Sequence, residues 1–224
     1  MKSNEELLRE IFARLDALDY VRPEQIPDIP LYMDQLTTFM DERLEKSKRY
    51  PEDKVLTKTM INNYAKNNLL PPPIKKKYSK EHTLLLIFIY YFKNMLSFHD
   101  IEALFAPITE EHFASDHDPL SFQSHAPGRP SEDAENASWS LEDIYREIFS
   151  LEKEQMKRLK EDLIKKYRCS MKAFSSSHGD SGEYLRLFSF ICELGFDVYL
   201  KKQMMEFLID YIREEYPQNS KKKK

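Results

Sequence analysis

Apolar residues Leu7, Leu8, Ile11, Phe12, Leu15 and Leu18 recur at the i, i+3, i+4, i+7 spacing of one helix face. They predict a first helix from Asn4 to Asp19. Pro23, Pro27 and Pro30 end it and stiffen a connector over residues 21–30. A second helix is predicted from Leu31 to Lys46, with Leu31, Met33, Leu36, Phe39, Met40 and Leu44 partly inward, and Tyr50–Asp53 breaks it. A short helix follows from Thr57 to Asn67. Thr57 is its N-cap, and Asn68 takes the left-handed position past its C-terminus that glycine usually fills. Pro71, Pro72 and Pro73 stop the chain. Ser79 caps the next helix, which runs through the apolar stretch Leu84–Phe92 to Leu96. That stretch is roughly half of the ~20 residues that cross a bilayer, so it predicts a buried core helix and no membrane span. Ser97, with Asp100 three residues on, opens another short helix carrying Phe98, Ile101, Leu104 and Phe105.

The pattern then fades. Residues 107–140 hold Pro107, Pro119, Pro127, Pro130, several serines and seven acids against Arg129 alone, the composition of a flexible linker. Periodicity returns at Leu141, Tyr145, Ile148, Met156, Leu159, Leu163 and Tyr167, predicting one amphipathic helix over residues 141–167. Residues 175–182 read as a loop. Residues 183–194 are apolar nearly all round and predict a buried helix, separated by Gly195 from a last amphipathic helix at 197–215. The tail, 217–224, is basic and too polar to fold. There is no internal repeat and no convincing strand pair. The expected fold class is all-α, divided into an N-terminal helix with its connector (1–27), a helical domain (28–106), the linker (107–140) and a C-terminal helical region (141–216).

Composition narrows the function classes. Four glycines among 224 residues exclude paired Gly-rich phosphate loops and turn-dense all-β folds. Two cysteines cannot build a disulfide framework. The charged start, with no apolar signal segment, predicts a cytoplasmic, reduced compartment.

The net charge of −4 conceals a segregation. From Arg43 to Lys80 there are eleven basic residues against Glu45, Glu52 and Asp53, a net +8; the remaining 23 basic and 35 acidic residues give −12. A cationic window in an acidic chain is an electrostatic footprint for a polyanion.

Within that window the words Thr57-Lys-Thr-Met-Ile-Asn-Asn-Tyr64, Leu69-Leu-Pro-Pro72 and Tyr78-Ser-Lys-Glu81 stand in order, followed by Leu96-Ser-Phe-His-Asp-Ile101. This order resembles the MerR-type winged helix-turn-helix: a second helix ending in a Leu-Leu-Pro-Pro-like stop, a wing, then two more helix starts. The resemblance covers residues 31–105. The stretch 28–110, with its Asp28-Ile-Pro-Leu-Tyr-Met-Asp-Gln35 word, also looks like an uncharacterised bacterial domain family of unknown function. The resemblance implies a MerR-like helix-turn-helix with a minimal wing, linked to a C-terminal helical region, and a DNA-binding transcriptional regulator that works as a homodimer. Double-stranded DNA is then the partner, with Lys58, Thr59, Asn62, Asn63 and Lys66 on the outward arc of the short helix and Lys75, Lys76, Lys77 and Tyr78 in the wing. Asn62-Asn63 stand where MerR proteins place Arg-Tyr; asparagine can read adenine bidentately or bind phosphate. Lysines are point charges suited to phosphate, so the wing points to backbone contact over base reading. Tyr78 fits packing at the wing base better than base stacking. The 141–167 helix is the expected dimer element.

Two other classes compete. One is a helical protein–protein interaction module that binds an acidic partner and no DNA. The other is a sensor of a small apolar effector at residues 183–212. No enzyme is expected. Gly179-Asp-Ser-Gly182 spells a serine-protease nucleophile motif, with His178 adjacent, but lacks the β-barrel and the distant His and Asp that chemistry requires. His112, His117 and His125, with Asp116 and Asp118, lack a fixed spacing for metal. Cys169 and Cys192 lack CxxC spacing and read as packing residues. Glu110-Glu111 have no apolar pocket to split their acidities. No cofactor or metal is expected.

Overall fold

The computed structural model describes residues 4–113 and 139–216. These residues form eight helices: α1 (Asn4–Ala17), α2 (Met33–Arg43), α3 (Lys58–Lys66), α4 (Lys80–Phe92), α5 (Phe98–Phe113), α6 (Leu141–Ser150), α7 (Glu152–Lys172) and α8 (Gly179–Glu215). Two short strands, β1 (Leu31–Tyr32) and β2 (Lys77–Tyr78), pair antiparallel with Leu31 opposite Tyr78 and Tyr32 opposite Lys77. The described residues are therefore mostly helical, and the hydrophobic pattern did not predict the sheet. Two-residue strands carry too little alternation to register as a period. Among the described residues no helix is long and apolar enough to cross a membrane.

The chain divides into two compact units. The first, Asp19–Phe149 with Ile209–Lys224, is built around α4. Ser79 caps α4, its hydroxyl accepting from the His82 amide while the Ser79 amide donates to His82 Nδ1 at 3.1 Å. Every residue from His82 to Ile89 is buried, as the apolar run predicts. Phe88 is the aromatic centre, 5.7 Å from Phe105 of α5 and 5.2 and 5.6 Å from Tyr145 and Phe149 of α6. Tyr145 is fully buried, and its hydroxyl donates to the Val21 carbonyl at 2.6 Å. Burial raises the Tyr145 phenol well above its ordinary range, which keeps it neutral and a donor. Rings in such tilted contacts contribute about 0.5–1.5 kcal/mol per pair beyond their buried area.

α2 and α4 are shorter than expected, and two other helices depart from their expected bounds in kind. α5 runs through Pro107 to Phe113, into the segment whose composition predicted a linker. Proline removes one backbone hydrogen bond, but Phe113 is buried with its ring 4.9 Å from His82, so a tertiary contact holds the turn beyond the proline. The helix expected over 141–167 is interrupted at Leu151, giving α6 and α7. α6 packs in the aromatic core of this unit, whereas α7 lies in the second.

The second unit, Met1–Leu18 with Ser150–Leu208, packs α1, α7 and residues 179–208 of α8. Leu163, Tyr167 and Phe190 form its buried centre, joined by Leu8, Ile11, Phe12 and Leu15 of α1 and by Leu194. Lys166 bridges Asp162 and Asp197, tying α7 to α8. Here the glycines separate. A Cβ on Gly182 would lie 2.3 Å from the Ser177 carbonyl oxygen, so the start of α8 requires that glycine. Gly195 does not break the helix; α8 continues through it without interruption. Gly179-Asp-Ser-Gly182 is the first turn of this helix. Residues 183–194, expected to be buried, bury Phe190 but leave Tyr184, Leu187, Phe188 and Ile191 exposed.

Candidate nucleic-acid interface

α3 begins where Thr57 stands in an extended conformation and accepts a hydrogen bond from the Met60 amide at 3.2 Å. Ile61 and Tyr64 are buried, which fixes the rotation of the helix about its axis. Lys58, Thr59, Asn62, Asn63 and Lys66 are therefore all exposed, spread over about 140° of the opposite face. Their outward placement agrees with the helical periodicity of the sequence. Lys58 is drawn into an ion pair with Asp34 of α2.

The C-terminus of α3 follows the expected cap. Asn68 has φ of 61°, and the Leu69 and Leu70 amides both return to the Tyr64 carbonyl, at 2.9 and 3.1 Å. Leu69 and Leu70 are buried and anchor the turn. Pro71–Pro73 then lead into a hairpin. Ile74 and Lys77 exchange two backbone hydrogen bonds, at 3.1 and 2.9 Å, leaving Lys75 and Lys76 as its two tip residues. Both tip residues have positive φ, 49° and 65°. That is the conformation of a type I′ turn, normally filled by Asn-Gly, and it costs a lysine about 1–2 kcal/mol per residue. Two lysines are thus held in strained backbone at an exposed tip.

Lys77 belongs to the strand, its ammonium 5.0 Å from the Tyr32 ring across the pair. Tyr78 is only 3% exposed, its ring edge-on to His82 at 5.6 Å. It is thus a packing residue at the hairpin base and has no face for a base to stack on, which removes it from the candidate contacts. His82 beneath it is also buried, and burial holds its pKa down to about 4. Because the Ser79 amide donates to Nδ1, the neutral ring carries its proton on Nε2.

Of the cationic window, Lys48 pairs with Asp41 at 2.8 Å, and Lys80 pairs with Asp28 and Glu142, each at 2.8 Å. Lys66, Lys75 and Lys76 have no acidic partner among the described residues. Arg43, Lys46, Arg49 and Lys54 are likewise exposed with no acidic ion-pair partner among the described residues, so the useful positive charge is narrower than the +8 of the sequence and spans the link from α2 to α3 as well as α3 and the hairpin. α2 contacts α3, β1 and β2, so one helix supports both elements. The link from α2 to α3, residues 44–57, includes the short turn Glu45–Ser47. It is far longer than the three to four residues, roughly, of a compact helix-turn-helix. An open groove of about 450 Å³ lies between α2 and α3, lined by Thr37, Asp41, Lys54 and Thr57 among others, and its charges are mixed.

Spacing alone missed Tyr32. It is exposed beside the hairpin, and only its place in the 28–35 word marked it. His112 lies in the last turn of α5, while Asp116, His117, Asp118 and His125 lie outside the described residues. Among the described residues no group of three His, Cys, Asp or Glu is placed to hold a metal ion. Cys169 and Cys192 are both free thiols.

No curated protein and no solved structure matches the chain. Residues 21–124, the segment that carries α3, the hairpin and α4, match the family model described as a domain of unknown function, DUF1836.

Proposed function

We propose that this protein is a DNA-binding transcriptional regulator in which α3 enters a groove of duplex DNA and the Lys75–Lys76 hairpin tip holds a flanking phosphate, in the manner of a minimal wing. The observation that carries the reading is the strained tip: two exposed lysines in left-handed backbone on the element that follows an exposed amide-rich and basic helix face. Backbone strain at an exposed loop without a packing reason accompanies binding sites. Asn62 and Asn63 supply the groups that can read a base edge; Lys58, Lys66, Lys75, Lys76 and Lys77 supply phosphate contacts. The long link between α2 and α3 makes this a looser relative of the MerR arrangement. A homodimer reading two half-sites about one helical turn apart is the natural form, because a single small reading head binds weakly. The cytoplasm is the compartment this function requires.

The test is fluorescence anisotropy with labelled duplex DNA across a salt series. Each phosphate contact contributes about −0.9 to the slope of log K against log salt. The K75E/K76E/K77E variant is expected to lose binding. Binding that is unchanged by it contradicts the hairpin assignment.

A further inference from the structure

The geometry points to residues 180–202 of α8 as a self-pairing surface, where a second copy of this chain docks antiparallel about a two-fold axis at Ile191. This is independent of DNA binding. Tyr184, Leu187, Phe188, Ile191, Val198 and Tyr199 are all exposed, with values of 65% at Tyr184, 56% at Ile191 and 60% at Val198. At about 100° per residue they fall within a single stripe on the side away from buried Phe190. The Tyr184 and Phe188 rings stack on each other at 6.1 Å, so the stripe is continuous at its start. It is about 22 Å long. Six such side chains present about 700 Å² per copy, which doubled reaches the size of a stable dimer interface. Contiguous apolar surface of that size marks an association site on a soluble protein.

Two further observations favour a second copy over an unrelated partner. Gly195 sits on the same stripe, in the interior of a long helix, where glycine costs stability relative to alanine. A Cβ there would meet nothing within 4 Å, so packing inside the chain does not account for it. In the antiparallel register centred on Ile191, Leu187 of one copy lies opposite Gly195 of the other with Phe188 beside it, and Tyr184 lies opposite Val198 and next to Tyr199. The same register brings Asp180 and Glu183 near Lys202 and Lys201 of the second copy, lysines that pair with Glu206 and Asp197 within their own chain and are shared with the facing acids across the interface. The face is complementary to itself in size and in sign. This assigns the dimer to α8, in place of the 141–167 stretch, now α6 and the first part of α7, that the sequence suggested.

Sedimentation of the full chain at micromolar concentration tests the proposal. The wild type is expected to be a dimer, and Ile191→Arg to weaken it by about 100-fold with unchanged helical circular dichroism. Glu183→Lys and Lys201→Glu are each expected to weaken it, and the double variant to restore it, which a folding defect could not do. In a Cys169→Ser, Cys192→Ser background, Tyr184→Cys mixed with Tyr199→Cys is expected to crosslink, and Tyr184→Cys alone is not. Exposed Phe196, Met204 and Phe207 lie round the helix from this stripe; Met204→Ser is expected to leave the dimer intact. A monomeric wild type, a dimer that survives Ile191→Arg, one lost only on Met204→Ser, or self-crosslinking of Tyr184→Cys overturns the proposal.

Discussion

α4 and residues 183–194 of α8 carry the same sequence signature, an apolar run with few polar interruptions, yet they end in opposite environments. α4 is surrounded: β2, α5 and α6 all meet it, and eight successive residues are buried. α8 in its own unit meets α1 and α7 on one side only, and buries Phe190 while exposing Tyr184, Phe188 and Ile191. An apolar run states that a surface must be covered; it does not state by what. In the first case the cover is the same chain, and the result is a rigid base under α3 and the hairpin. In the second, no element among the described residues covers the outer face of α8.

That contrast can be broken by substitution. Leu85 and Tyr145 are fully buried in the α4 unit, so Leu85→Ala or Tyr145→Ala is expected to lower stability by about 3–5 kcal/mol, read by denaturant unfolding. Ile191→Ala is expected to change the unfolding free energy of the isolated monomer by less than about 0.5 kcal/mol. Equal costs at the two sites would erase the distinction.

Acid tests the α4 unit in a second way. His82 titrates near its ordinary value of 6.5 when unfolded and at about 4 when folded. The unfolded chain therefore takes up the proton first, and stability is lost as pH falls from about 6.5 to about 4. A shift of that size corresponds to about 3 kcal/mol. Thermal melts at pH 7.5 and pH 4.5 check it, and His82→Gln is expected to flatten the dependence while keeping an acceptor for the Ser79 amide.

The hairpin gives an effect of opposite sign. Replacing Lys75-Lys76 by Asn-Gly relieves the positive-φ strain and is expected to stabilise the protein by about 1–2 kcal/mol. The same change is expected to reduce the salt slope of DNA binding by about two. A gain in stability with undiminished binding would separate strain from function. Thr57→Ala removes the α3 cap at a cost of about 1 kcal/mol in a melt.

Local rules made much of this legible. Thr57, Ser79 and Asn68 announced their caps, the prolines at 71–73 announced the end of α3, and its outward arc followed from the places of Ile61 and Tyr64. What stayed hidden was set by partners remote in sequence. Phe113 holds α5 beyond Pro107 through His82, thirty-one positions back along the chain. The two-residue strands exist because Leu31 meets Tyr78. Tyr78, by contrast, packs at the hairpin base as the sequence suggested, against His82 only four positions on. The charge window overstated the site, because Asp28, Asp34, Asp41 and Glu142 lie against its lysines only in the folded chain.

The most direct test is the salt dependence of duplex DNA binding by the full chain, measured beside the K75E/K76E/K77E variant. Expected are tight binding at low salt, a steep linear loss of log affinity with log salt, and no measurable binding by the variant. A chain that ignores duplex DNA at low salt, or a variant that binds as the wild type does, would contradict DNA binding through the hairpin.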